Sequence, residues 1–136
     1  MGSGNFIFSA SGSSQFAALS DTIPLVNKDV QITSPAIGTS VSKSSALTVN
    51  WTYASGSSNT VVLQLSSDSS GYIEDVLSSD NGSYTVPSSD LAGFIPGSNI
   101  RIILTRISYQ DAVAADGRKY AIATYSREID YHSIVP

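Results

Sequence analysis

The chain contains no cysteine, which excludes disulfides, a thiolate nucleophile and cysteine-ligated zinc in one step. Charge is also sparse. Only 13% of the 136 residues are charged, and the 7 basic side chains are scattered against 11 acids for a net charge of −4. A nucleic-acid partner normally needs a basic stripe to replace phosphate counterions, so none is expected. No run approaches the roughly 20 apolar residues of a transmembrane segment, and none is expected. Histidine occurs once, as His132. A Ser-His-Asp triad would have to use it, but no Gly-x-Ser-x-Gly elbow accompanies it, so a surface position near the C-terminus is expected.

Hydroxyls take the place of charge. There are 27 Ser and 9 Thr in a chain whose apolar fraction is 41%. Ser, Thr, Asn and Gly compete for backbone groups or lose more entropy in helices, so this composition favours strands and turns. The length fits one domain with a core that needs no metal or disulfide. A Ser/Thr/Gly-rich, charge-poor chain also resembles extracellular or cell-envelope modules more than cytosolic enzymes. Met1-Gly2-Ser3-Gly4 reads as a start methionine with a small added linker.

The clearest local signal is Leu47-Thr48-Val49-Asn50-Trp51-Thr52-Tyr53, in which apolar and polar residues alternate strictly. Period-2 alternation places Leu47, Val49, the sole tryptophan and Tyr53 on one dry face of a sheet. Further strands are expected over Val30–Thr33, Thr60–Ser66, Tyr72–Leu77, Ser83–Val86, Asn99–Tyr109, Lys119–Ser126 and Glu128–Ile134. Turns fall at 34–38, 54–58, 68–71 and Asp80-Asn81-Gly82, the last because Asn-Gly readily adopts positive φ. Residues 110–117 read as a loop with a helical turn at 112–115. Near the N-terminus, Phe6–Phe8 reads as a strand along a sheet edge and Phe16–Leu19 as one helical turn. Pro24 points to an irregular extended segment over Ile23–Val26.

Several of these segments together resemble a fibronectin type III or related immunoglobulin-like module over residues 30–134. Ile32-Thr33-Ser34-Pro35-Ala36-Ile37-Gly38 is similar to its first strand and bend. Leu47 to Trp51 resembles its second strand with the core tryptophan, and Leu91 through Pro96-Gly97 to Ile102 resembles its crossing between sheets. Ile100 stands where such modules usually place a tyrosine. Ile32–Thr52 and Gly82–Pro87 are also similar to Ser/Thr-rich sandwich domains of cell-wall-associated proteins. The resemblance implies an all-β, two-sheet sandwich of seven to nine strands at 30–136, with residues 5–29 as an N-terminal extension packed on it. It implies a non-catalytic structural or interaction module of a secreted or cell-surface protein, without catalytic residues or cofactor.

Candidate sites each have an ordinary alternative. Trp51 and Tyr53 could stack on a sugar ring, but their phase with Leu47 and Val49 points to the core. Tyr72, Tyr109 and Tyr120 are the candidates for ligand binding, with Tyr125 and Tyr131 as further free aromatics. Tyr109 and Tyr120 flank the 110–117 loop and are expected to present their rings at one end of the sandwich. Asp68, Glu74, Asp75, Asp80, Asn81, Asp111 and Asp116 carry oxygens suited to calcium. Their spacing matches no EF-hand, so turn capping is expected and no metal site. Asn50-Trp51-Thr52 and Asn81-Gly82-Ser83 match the glycosylation sequon at a frequency that chance explains in so hydroxyl-rich a chain. The alternative functions are a carbohydrate-binding module using surface tyrosines and an accessory domain of an envelope hydrolase. A protein or glycan partner is expected, and an exposed strand edge also allows an edge-strand homodimer.

Overall fold

A computed structural model describes residues 5–15, 17–24, 30–52, 60–114 and 116–136. The expectations for Met1–Gly4, Phe16, Leu25, Val26, Tyr53 and the 54–58 turn lie outside the described residues. The described chain is all-β apart from one helical turn, α1 (Ser88–Leu91). Its ten strands are β1 (Asn5–Ala10), β2 (Leu19–Pro24), β3 (Ile32–Ser34), β4 (Ser40–Ser42), β5 (Leu47–Trp51), β6 (Thr60–Ser67), β7 (Tyr72–Leu77), β8 (Ser83–Val86), β9 (Asn99–Val113) and β10 (Lys119–Val135). They form a five-stranded sheet in the order β4-β10-β9-β6-β7, a three-stranded sheet β3-β5-β8, and a separate hairpin β1-β2.

Alternation produces the main core. Along β5, Leu47, Val49 and Trp51 are buried while Thr48 is exposed. Along β6, Val61, Leu63 and Leu65 are fully buried, and Ile100, Ile102 and Leu104 do the same on β9. These residues, with Val30, Val41, Val86, Leu91, Phe94 and Ile134, form one cluster between the two larger sheets. The result is consistent with a sandwich, because each sheet supplies one dry face.

A buried ion pair crosses this core. Asp80, in the β7–β8 connection, accepts from the Trp51 Nε1–H at 2.7 Å and from the Arg106 Nε–H at 2.7 Å, one carboxylate oxygen each. Arg106 also donates to the Thr52 carbonyl. Both ionised side chains are almost wholly buried. Trp51 lies in the three-stranded sheet and Arg106 in the five-stranded sheet, so Asp80 ties one layer to the other. Gly82 follows at φ 73°, the positive φ expected of the Asn-Gly turn.

Several expectations need correction. β9 and β10 form one uninterrupted hairpin from Asn99↔Ser133 to Val113↔Lys119, so the loop expected at 110–117 shrinks to 114–118 and the expected break near Arg127 is absent. The reason is continued alternation: Tyr109, Asp111 and Val113 face one way while Ala112 faces the other, a strand pattern that short polar residues only disguise. The apolar alternation was too weak to find β4, a Ser-Val-Ser strand that runs parallel to β10. Phe6–Phe8 does not line a main-sheet edge. It pairs with Thr22–Ile23 and Asp21 in its own hairpin, and Leu19 opens β2 instead of closing a helical turn. Pro24 ends that strand, opposite Asn5.

The outer halves of β9 and β10 extend past the last β6 partner, Thr60↔Ile107. There a second, smaller cluster of Leu19, Ala112 and Ala114, with Phe8, Ala17 and Tyr120 against it, joins the hairpin to the ribbon. A cavity of about 260 Å³ remains between them, lined by Phe8, Ala10, Leu19 and Tyr120 among others.

Two substitutions test the core. Asp80→Ala leaves the Arg106 guanidinium buried without its carboxylate and is expected to cost about 3–5 kcal/mol in denaturant unfolding. Gly71 (φ 81°) and Gly97 (φ 88°) share a left-handed backbone, but an added Cβ at Gly71 would sit 2.8 Å from Phe94 ring carbons while one at Gly97 meets nothing within 4 Å. Gly97→Ala is expected to cost roughly 1–2 kcal/mol, and Gly71→Ala clearly more, because the Phe94 ring must also move. Equal costs in parallel melts would refute the close packing of Phe94 on Gly71.

Candidate functional site

The exposed face of the five-stranded sheet is built by the odd residues of β9 and β10 and the even residues of β6 and β7. Their registers fix the rows. Tyr131, Arg101, Ser66 and Tyr72 lie side by side across four strands. The next row holds Ile129, Ile103, Gln64 and Glu74, and the third holds Arg127, Thr105, Val62 and Val76. Tyr125 lies opposite Ile107, and Tyr109 opposite Ala123, diagonal to Tyr125.

Four tyrosines therefore share one face, and each is more than half exposed: Tyr125 at 77%, Tyr72 and Tyr109 at 61%, Tyr131 at 58%. Ile129 and Val76 are exposed among them, while Ile103 is only 9% exposed at the centre of the face. Such a concentration of apolar surface on a solvent-facing sheet is unusual, since isolated exposed residues are the norm. Along β10 alone, Tyr125, Arg127, Ile129 and Tyr131 form a continuous outward stripe.

One end of the face carries a polar network. The Tyr72 hydroxyl donates to Glu74 Oε2 at 2.5 Å, and Gln64 Nε2 donates to the same oxygen at 2.7 Å and to the Tyr72 hydroxyl oxygen at 3.0 Å. The hydrogen bonds from Tyr72 and then Gln64 hold the Glu74 carboxyl below its usual range. The bond to Glu74 raises the Tyr72 phenol in turn, because losing its proton breaks that bond. Arg101 closes the adjacent row with an ion pair to Asp68 at 3.0 Å.

Of the three tyrosines proposed from sequence, Tyr72 and Tyr109 lie on this face and Tyr120 does not. Tyr120 pairs with Ala112 on the opposite side of the ribbon and packs against the β1-β2 hairpin. Tyr109 and Tyr120 therefore point to opposite faces, because an odd and an even strand position cannot share one. Tyr125 and Tyr131 join Tyr72 and Tyr109 instead. Ile103 and Ile129 were not singled out from sequence, although their phase with Tyr125 and Tyr131 was readable once the strands were known.

His132 is not at the surface. It is 3% exposed on the inward face of β10, with Nδ1 3.1 Å from the Thr39 carbonyl oxygen. Its even position, shared with Asp130 and Ile134, takes it inside. The acidic residues are likewise spoken for or placed differently. Glu74 and Asp75 lie within β7 and Asp111 within β9, so turn capping does not describe them. Asp116 pairs with Arg118 at 3.2 Å, and Asp80 receives the Gly82 N–H at 3.3 Å besides its buried partners. Among the described residues, no three acidic or histidine side chains gather as a metal site. Nor is any helix there long and apolar enough to cross a membrane.

No family model, curated protein or solved structure matches this chain.

The Tyr72–Glu74 bond gives opposite shifts in two titrations. Folding lowers the Glu74 pKa, so the small stabilisation it brings is present above the ordinary glutamate range and fades as pH falls through the lowered value. A residue-resolved NMR titration of Glu74 should show a depressed midpoint that rises in Tyr72→Phe. The Tyr72 phenol should titrate above the usual phenol range and move down in Glu74→Gln.

Proposed function

We propose that this chain is a non-catalytic interaction module of a secreted or cell-surface protein, with a fibronectin type III-like immunoglobulin fold, and that it docks a protein partner on the outer face of its five-stranded sheet. The strand order supports the fold reading. With β3, β5 and β8 as the first, second and fifth strands, the three-stranded sheet corresponds to one layer of such a module, and β10-β9-β6-β7 to the other. Trp51 occupies the core of β5, and Leu91 and Ile100 are fully buried on either side of the Pro96-Gly97 crossing. An isoleucine at position 100 departs from the usual tyrosine.

The observation that carries the docking reading is the outward stripe of Tyr125, Arg127, Ile129 and Tyr131 beside Ile103 and Tyr109. Tyrosine and arginine are enriched at protein interfaces and at their energetic centres, whereas lysine and glutamate are depleted. Aliphatic residues between the rings favour a protein over a glycan, because a saccharide needs hydrogen-bonding groups beside each stacked ring. Among the described residues this face carries Arg127 and Lys119 against Glu74 and Asp111, with Arg101 paired to Asp68, so its charges balance. The Tyr72–Gln64–Glu74 network is the one place where a saccharide reading has support.

The test challenges immobilised domain with surface proteins from its own organism and, in parallel, with an oligosaccharide panel. The expected result is a protein retained by wild type and by Ile95→Ser, whose side chain is exposed outside the sheets, with at least tenfold loss in Tyr125→Ser/Ile129→Ser at an unchanged melting temperature. Retention indifferent to that double substitution would overturn the assignment of the face. Saccharide binding that depends on Tyr72 would replace the protein reading with a carbohydrate-binding one.

A further inference from the structure

A separate surface lies along the edge of β10. The Tyr131 carbonyl accepts from Gly38 N–H at 3.0 Å and the Val135 carbonyl from Lys43 N–H at 3.0 Å, so odd residues of β10 turn their backbone groups toward the β4 side. Ile134 bonds on the opposite side, to Gly97 N–H and the Ser98 carbonyl. The β9–β10 register runs without a shift from Ser133 to Lys119, so this parity holds along the whole strand. β4 covers only Ser133 to Val135. Among the described residues, no strand lies against the edge from Lys119 to Ile129, where Lys119, Ala121, Ala123, Tyr125, Arg127 and Ile129 direct N–H and C=O outward. An edge this long, with no charged side chain from Tyr120 to Ser126, is a template for another strand.

We propose that the strand it receives is β10 of a second copy, antiparallel and centred on Thr124, joining two five-stranded sheets across a two-fold axis. Antiparallel hydrogen-bonded pairs must match odd residues with odd ones. A centre at Thr124 pairs Lys119 with Ile129, Ala121 with Arg127 and Ala123 with Tyr125, and uses all six outward residues of each copy. Centring on Ala123 would set Lys119 opposite Arg127, a like-charge pair that destabilises. Centring on Tyr125 would oppose two tyrosines and set Lys119 against Tyr131, whose carbonyl already accepts from Gly38. Only the Thr124 centre sets small against large throughout its middle: the Tyr125 ring of one copy lies over Ala123 of the other, and the Arg127 stem over Ala121. That accounts for two exposed alanines next to the most exposed tyrosine on the face. At the axis, Thr124 faces Thr124, a pairing that strands favour. The contact is self-complementary, as a two-fold interface requires.

A native chain without cysteine makes the register directly testable. A non-hydrogen-bonded pair has Cα atoms about 4.5 Å apart, within disulfide range, so oxidised Thr124→Cys should form a covalent dimer at least tenfold faster than Thr105→Cys, which lies on the outer face away from the edge. Light scattering of the wild type should show a mass that doubles with concentration. Ala123→Pro, which removes only an outward N–H, should be monomeric and melt as wild type does. A wild type that stays monomeric at every concentration overturns the proposal. So does Thr105→Cys cross-linking as fast as Thr124→Cys, because the copies would then meet through their faces. If Ala123→Pro does not fold, the two cysteine rates decide alone.

Discussion

The Asp80 carboxylate is the constraint on which the two layers depend. It receives Trp51 from one sheet and Arg106 from the other, each at 2.7 Å, and both ionised groups are cut off from water. A buried ion pair of this kind contributes little net stability over a well-packed apolar substitute, since desolvation offsets most of the attraction. Its value is positional. Neither sheet can slide past the other without leaving a charge unpaired in the core. The β7–β8 connection is thereby held against β5, where the Gly82 carbonyl also accepts from the Trp51 N–H at 2.9 Å, which fixes where Trp51 enters the core.

The long β9–β10 hairpin then divides the molecule's work. Its inner half is the centre of the five-stranded sheet and closes the main core. Its outer half has no sheet neighbour among the described residues and is covered on one side by the β1-β2 hairpin through Leu19, Phe8 and Tyr120. Because one pair of strands runs through both regions, strict alternation turns Tyr120, Asp130, His132 and Ile134 inward and leaves Tyr125, Arg127, Ile129 and Tyr131 exposed. His132 and Tyr120 are inside for the same reason that Tyr125 and Tyr131 are outside.

Function, on this reading, belongs to the odd side. Tyr125, Arg127, Ile129 and Tyr131 are spaced so that alternate side chains stand on one face of the sheet, and the rows contributed by β6 and β7 widen it to Tyr72. A tyrosine-rich sheet face and an open strand edge are different kinds of contact. On this reading the first recognises side chains and the second chiefly backbone, and the two meet at Tyr125, Arg127 and Ile129, which stand on the face and beside the edge at once.

The sequence by itself determined the all-β character, the buried phase of Leu47, Val49 and Trp51, and the positive-φ turn at Gly82, because each of these depends on neighbours two or three residues away. The same local rules gave Tyr72 and Tyr109 as exposed. What they could not give was the length of β9 and β10, since Gln110, Asp111 and Ser126 interrupt the apolar pattern without interrupting the strand. Read as two separate short strands, Lys119–Ser126 and Glu128–Ile134 carried no common phase, and that phase decides the sides of Tyr120 and His132. Only the tertiary structure brings Asp80 to Arg106, 26 residues apart, and gathers Tyr72 with Tyr131 across four strands. Those contacts depend on sheet order and register, which are set by packing between segments remote in the chain.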